Sequence, residues 1–183
     1  MKRFAAVLML AGSGAVLAGP AEGMGSAASA AATLPGSVSA VVSGILAYTR
    51  WPGEAAPIRL CTLGRGVGVE QLLAAADIGS EQRPVKVRPM TAAVEAAAGP
   101  CDALYVGNVS TAAHREVLKA LAGRPVLLLG EGAEFCSDGG MFCLAPGTGA
   151  VRFNANLDAI ARSGLRVNPM VLRIARGNAG PGS

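Results

Sequence analysis

The reactive side chains of this sequence are few, and their spacing decides what each could do. Cys61, Cys101, Cys136 and Cys143 make an even set. In an exported chain such a set forms disulfides rather than free thiols. Of the three possible connectivities, Cys136 with Cys143 is the local choice, because it closes a segment turning at Gly139 and Gly140. That choice leaves Cys61 to pair with Cys101. In the loop-entropy account the two bridges stabilise by about 2.5 and about 4 kcal/mol. One difficulty attends the longer bridge: Cys61 lies inside one apolar run and Cys101 precedes another, so parallel strands would set them out of register. Four-cysteine zinc binding is the competing use, and the Cys-x-x-Cys pair it employs is absent.

His114 is the sole histidine, so no multi-histidine metal site can be built. A serine hydrolase would have to recruit it from the same helix as Ser110, without the Gly-x-Ser-x-Gly elbow, and the helical reading puts it on an exposed surface. Gly64-x-Gly66-x-Gly68 follows an apolar run and precedes a helical one, the place where nucleotide folds keep a phosphate loop. Its third glycine comes one residue early for that fingerprint, and no Lys-Ser/Thr pair follows; a plain strand-to-helix loop is expected. Asp138 with Glu131 or Glu134 could pair as carboxylates, but solvated loop acids are the default. These residues point to no enzyme and to no cofactor.

The elements that must position these groups alternate. Val38, Val41, Val42, Ile45 and Leu46 share one helical face behind Ser37, predicting a helix that ends near Arg50, before Trp51 and Pro52. Apolar runs follow at 58–63, 85–88, 103–106 and 126–129, each with proline at or just before its start, where strands tolerate it. Helical segments at 69–76, 91–98 and 111–122 separate them. Runs without polar alternation suit a mostly parallel sheet with helices on both faces. Residues 135–144, with Asp138-Gly139-Gly140, read as a disulfide-closed hairpin. A last strand at 151–153 is followed by two short C-terminal helices, capped by Asn156 and by Asn168 with Pro169.

Composition agrees with one globular α/β domain: 51% of residues are hydrophobic and 15% charged, unlike a disordered chain. Lys2 and Arg3 precede an apolar run to Ala18 that is short for a membrane span, so residues 1–18 are expected to be a signal peptide, with cleavage possible as late as residue 32. Residues 19–36 form an expected flexible lead-in, 37–177 the domain and 178–183 a disordered tail. Without Lys2 and Arg3 the basic count falls from 16 to 14 against 12 acidic residues, so the net charge of +4 becomes +2. Beyond residue 138 the only acid is Asp158, against Arg152, Arg162, Arg166, Arg173 and Arg176. That excess could face an acidic protein or lipid surface. With 4% aromatic residues, stacking on nucleic acid is not expected.

Four segments carry a further resemblance: Ile45-Leu46-Ala47-Tyr48-Thr49-Arg50-Trp51-Pro52, Cys101-Asp102-Ala103-Leu104-Tyr105-Val106-Gly107, 135–144 (FCSDGGMFCL) and 156–169 (NLDAIARSGLRVNP). Together they resemble the YfiR/HmsC-like family over about 41–176. The resemblance implies a periplasmic regulator that binds the periplasmic sensor region of an inner-membrane diguanylate cyclase and holds it inactive, lowering cyclic-di-GMP signalling and biofilm formation. It also implies an OmpA-like outer-membrane lipoprotein as sequestering partner, a homodimer, and disulfides Cys61 with Cys101 and Cys136 with Cys143. At Asn154 the chain has a neutral amide where the family's Phe-Glu-Val-Asn carries an acid. On this reading Tyr48, Trp51 and Met170 are candidate partner contacts, together with Arg162, Arg166 and Arg173; core packing competes for Tyr48 and Trp51. The alternative is a periplasmic small-ligand binder with the Gly64–Gly68 loop and the strand C-terminal ends as pocket floor.

Overall fold

A computed structural model describes residues 36–53, 57–75, 78–147 and 150–177. The expected signal peptide, the lead-in up to residue 35 and the tail beyond 177 lie outside the described residues.

The first helix, α1 (Val38–Ala47), forms as its apolar stripe dictates: Val38, Val41, Val42, Ile45 and Leu46 are all buried. Ser37 Oγ caps it by accepting from the Ala40 N–H at 3.2 Å. The helix stops three residues before Arg50, because the Thr49 hydroxyl donates to the Ile45 carbonyl at 2.8 Å and the chain turns into a short strand, β1 (Thr49–Arg50).

Next come β2 (Ile58–Leu63), α2 (Val67–Ala74), β3 (Ile78–Ser80), β4 (Arg83–Met90), α3 (Ala93–Ala98), β5 (Ala103–Val106), α4 (Thr111–Leu121), β6 (Leu127–Glu131) and α5 (Ala133–Ser137). The chain finishes with β7 (Phe142–Ala145), β8 (Arg152–Ala155), α6 (Leu157–Arg162), β9 (Arg166–Val167), a 3-10 turn over Pro169–Val171 and α7 (Leu172–Gly177). Seven strands make one sheet in the order β3-β4-β2-β5-β6-β7-β8, parallel from β4 to β7 and antiparallel at both edges. Helix α1 packs on α2, and α3 on α4. From β2 the chain crosses toward β4, and from β5 toward β6; right-handed crossovers in opposite directions set α2 and α4 on opposite faces. All four residues of β5 are buried, which explains their unbroken apolar run.

Two expectations about strands need correction. Strand β4 continues past Arg88 to Met90 with Pro89 inside it. Proline is accommodated because β3 pairs only with Arg83–Val85, so beyond that point β4 is an edge strand on that side. The disulfide-closed hairpin is not a hairpin. Residues 133–137 form α5, and β7 then pairs parallel to β6, with Cys143 opposite Gly130. The Phe135 ring decides this, being buried where a Cβ on Gly140 would come within 2.1 Å of it and one on Gly130 within 2.5 Å. An antiparallel pair does occur one element later, between β7 and β8.

Both disulfides close, Cys61–Cys101 with a Cα separation of 5.9 Å and Cys136–Cys143 with 5.7 Å. The register difficulty is real, since Cys61 lies opposite Leu104. It is resolved because Cys101 belongs to the connection entering β5, not to the paired strand. The C-terminal caps form as read, with Asn156 Oδ1 accepting from Ala159 N–H at 3.0 Å and Asn168 Oδ1 from Met170 N–H at 2.9 Å.

Candidate interaction surface

In open parallel sheets the crevice for ligands lies at the carboxyl ends of strands whose crossovers leave in opposite directions, here β2 and β5. That crevice is stitched shut. Arg65 N–H donates to Asn108 O at 3.3 Å, Asn108 N–H to Arg65 O at 2.7 Å, and Gly107 N–H to Leu63 O at 2.9 Å. The glycine loop beside it holds an anion of the protein's own: Glu131 Oε1 accepts from Gly68 N–H at 3.2 Å and from the Tyr105 hydroxyl at 3.0 Å. A Cβ at Gly68 would stand 2.0 Å from the Tyr105 oxygen and 2.6 Å from the Glu131 carboxylate, so the third glycine is required by close approach. Burial pushes the Tyr105 phenol far above its usual range, and the Glu131 charge adds to the shift. The first turn of α2 thus presents its N–H to a carboxylate, as helix N-termini do to phosphate.

Glu131, Glu134, Asp138 and His114 border one cleft of about 380 Å³ at this end. The acids read as solvated loop residues are therefore gathered. His114 is also less open than expected: its ring stacks on Phe135 at 5.2 Å and 11°, its side chain is 14% exposed, and Nδ1 lies 3.5 Å from Asp138 Oδ2. The helical period placed it on the outer face of α4, whereas α5 and the turn after it cover that face. Ser110 is occupied as the cap of α4, accepting from Ala113 N–H at 3.2 Å. It forms no nucleophile pair with His114. The Gly64–Gly68 loop does not line the cleft, so the pocket floor of the small-ligand reading is not assembled there.

The amino ends of the parallel strands are organised differently. Trp51 Nε1 donates to the Asp102 carbonyl at 2.8 Å, and the Asp102 carboxylate accepts from Arg59 N–H at 2.8 Å, Nε at 2.8 Å and Nη2 at 2.7 Å. Burial works to raise the Asp102 carboxyl. The guanidinium and main-chain hydrogen bonds from Arg59, with its charge, outweigh burial and hold it below the usual carboxylate range. Arg83 stands 5.5 Å over the Trp51 ring and donates to the carbonyls of Leu46 and Thr49 at 3.3 and 3.1 Å, completing the end of α1. Burial, then the charge of Arg50, lowers its pKa.

Strand β9 brings the C-terminal segment to the same place. Thr49 pairs with Val167 and Arg50 with Arg166, while Asn168 N–H donates to Tyr48 O at 2.9 Å. Of the six candidate contacts, Tyr48, Trp51, Arg166 and Met170 therefore adjoin this junction. Tyr48 and Trp51 are half-buried against the core, Arg166 is exposed, and Met170 is 40% exposed. Arg173 is exposed on α7, and Arg162 stands on α6 in an ion pair with Asp158. The sequence reading missed Arg50 and Arg83; Arg50 lay inside a quoted segment, and only β9 shows that it faces a second arginine.

The four segments singled out in the sequence are thus bonded to one another. Trp51 links the first to Asp102 of the second, and Asn168 links the last to Tyr48 of the first. Asn156 Nδ2 donates to the Cys136 carbonyl at 2.8 Å, joining the last to the third. Among protein-family models, the one described as YfiR/HmsC-like matches residues 37–176.

Proposed function

Because the chain belongs to the YfiR/HmsC-like family, we propose that it is a periplasmic regulator that binds the periplasmic sensor region of an inner-membrane diguanylate cyclase and holds the enzyme inactive. The family match over 37–176 is the observation that carries this reading. Two closed disulfides suit an oxidising compartment. A signal peptide directs export and is cleaved after residue 18 or as late as 32, leaving one domain over 37–177. The protein acts as a homodimer, and an OmpA-like outer-membrane lipoprotein relieves repression by sequestering it.

The mechanism is differential binding rather than chemistry on a substrate. The cyclase has active and inactive arrangements, and a regulator that binds the inactive one more tightly shifts the population toward it. Arg162, Arg166, Met170 and Arg173 supply exposed contacts, while Tyr48 and Trp51 hold the junction that presents Arg50 and Arg166. Their shared positive charge favours an acidic partner surface. Deleting the gene and measuring cellular cyclic di-GMP tests the reading: a rise is expected, and no rise in any growth condition contradicts it.

A further inference from the structure

A second surface lies between α4 and α6, where a groove of about 470 Å³ opens along the helices. Its floor is apolar: Leu121, Leu128 and Met141 are buried, and Leu118 is half-buried. Its rim is cationic, with Arg115 and Lys119 from α4 and Arg162 from α6. Arg162 pairs with Asp158, and Asp138 at the groove end faces His114. Arg115 and Lys119 are exposed and have no ion pair among the described residues. Four positions apart on one helix, they sit one turn from each other on the same side.

The ligand chemistry follows from that layout. Apolar groups must fill the floor while carboxylates reach two neighbouring cations. No aromatic ring lines the groove, so it offers nothing for bases to stack on. An acyl chain laid in so open a groove would keep one side in water. An amphipathic helix would turn its polar back outward instead, and helix-in-groove recognition uses this combination of apolar floor and charged rim. We propose that the α4–α6 groove docks an acidic amphipathic helix of a partner protein. The proposal rests on the reading that this chain works by binding another protein, and it names the chemistry of one partner segment.

The test uses the purified protein and a synthetic fluorescent peptide with leucines on one helical face flanked by glutamates. Anisotropy shows saturable binding that weakens as salt rises. The Arg115→Glu/Lys119→Glu variant binds about tenfold more weakly, as reversal of rim charges does. Arg152→Glu, an exposed arginine on β8 outside the groove, binds like the parent. A scrambled peptide of the same composition binds weakly. Equal binding by the parent and the charge-reversed protein overturns the proposal, as does equal binding of the scrambled peptide, occupancy by oleate alone, or no binding at all. Thermal melts of both variants match the parent, so lost binding is not lost folding. Cyclic di-GMP after gene deletion is read separately. Peptide binding without a rise in cyclic di-GMP removes the cyclase reading alone, and a rise without peptide binding removes the groove alone.

Discussion

The two ends of the parallel strands put similar residues to opposite uses. At the carboxyl end, where an α/β enzyme would hold its substrate, Glu131 occupies the glycine loop, Tyr105 supports it, and Arg65 bridges to Asn108. The glycine loop and the Arg65–Asn108 bridge are satisfied from within, while Thr62 Oγ1 and His114 Nε2 are buried without a hydrogen-bond partner among the described residues. At the amino end, Trp51, Asp102 and Arg59 lock three chain segments together, and the lock leaves Arg50 and Arg166 side by side and exposed. The crevice between β2 and β5 is bridged at one end, and exposed arginines pair across β1 and β9 at the other. The family-bearing segments at the amino end act first as scaffold, and the surface they hold is the one proposed to meet a partner.

The largest expected effect concerns the Cys61–Cys101 bridge, which ties β2 to the connection entering β5. Replacing Cys61 and Cys101 with serine should lower stability by about 4 kcal/mol, against about 2.5 kcal/mol for Cys136 and Cys143, because the longer loop is the more costly to close. Chemical denaturation of the two double variants measures the difference, and equal losses would contradict the dependence on loop length. Gly68→Ala comes next, at about 3 kcal/mol, since the added methyl collides with Tyr105 and Glu131. A neutral Gly68→Ala in a thermal melt would show the carboxyl end to be looser than described.

At the amino end, Asp102→Asn should cost about 1–2 kcal/mol, the lower part of that range applying because the Arg59 side chain is 45% exposed and screened by water. The sign of its pH dependence is fixed by the direction of the shift. The folded carboxyl lies below its ordinary value, so its contribution is present above about pH 4 and is lost as pH falls through the folded pKa. Melting temperatures of parent and variant should converge on acidification. The smallest effect on stability belongs to Arg166→Glu, within about 0.5 kcal/mol. Binding to the cyclase sensor region should nevertheless fall about tenfold, while Glu131→Gln at the closed end leaves binding unchanged. Isothermal titration of both variants distinguishes the ends directly.

What the sequence made legible follows the same division between local and distant causes. The α1 stripe and the 58–63 and 103–106 strands were readable because a single face, or both faces, of each element is apolar. The segment 135–144 was misread because Asp-Gly-Gly signals a tight turn whatever precedes it. The helical turn of α5 depends on Phe135 fitting against Gly130 and Gly140, a contact that sequence spacing does not express. Strand β1 is two residues long and exists through its pairing with β9 at the far end of the domain. His114 illustrates the limit for the site, since helical periodicity gave its face on α4 but not the element that covers it. Glu131 in the glycine loop was equally hidden, because the loop's occupant comes from a different strand.

Under the proposed function, the amino-end surface around Arg50 and Arg166 holds a cyclase inactive. Titrating the purified protein into full-length, detergent-solubilised diguanylate cyclase and following conversion of GTP to cyclic di-GMP tests it most directly. The account predicts a saturable fall in rate that Arg166→Glu shifts to higher concentration and Glu131→Gln does not. An unchanged rate at every concentration, or an equal shift by both variants, would contradict it.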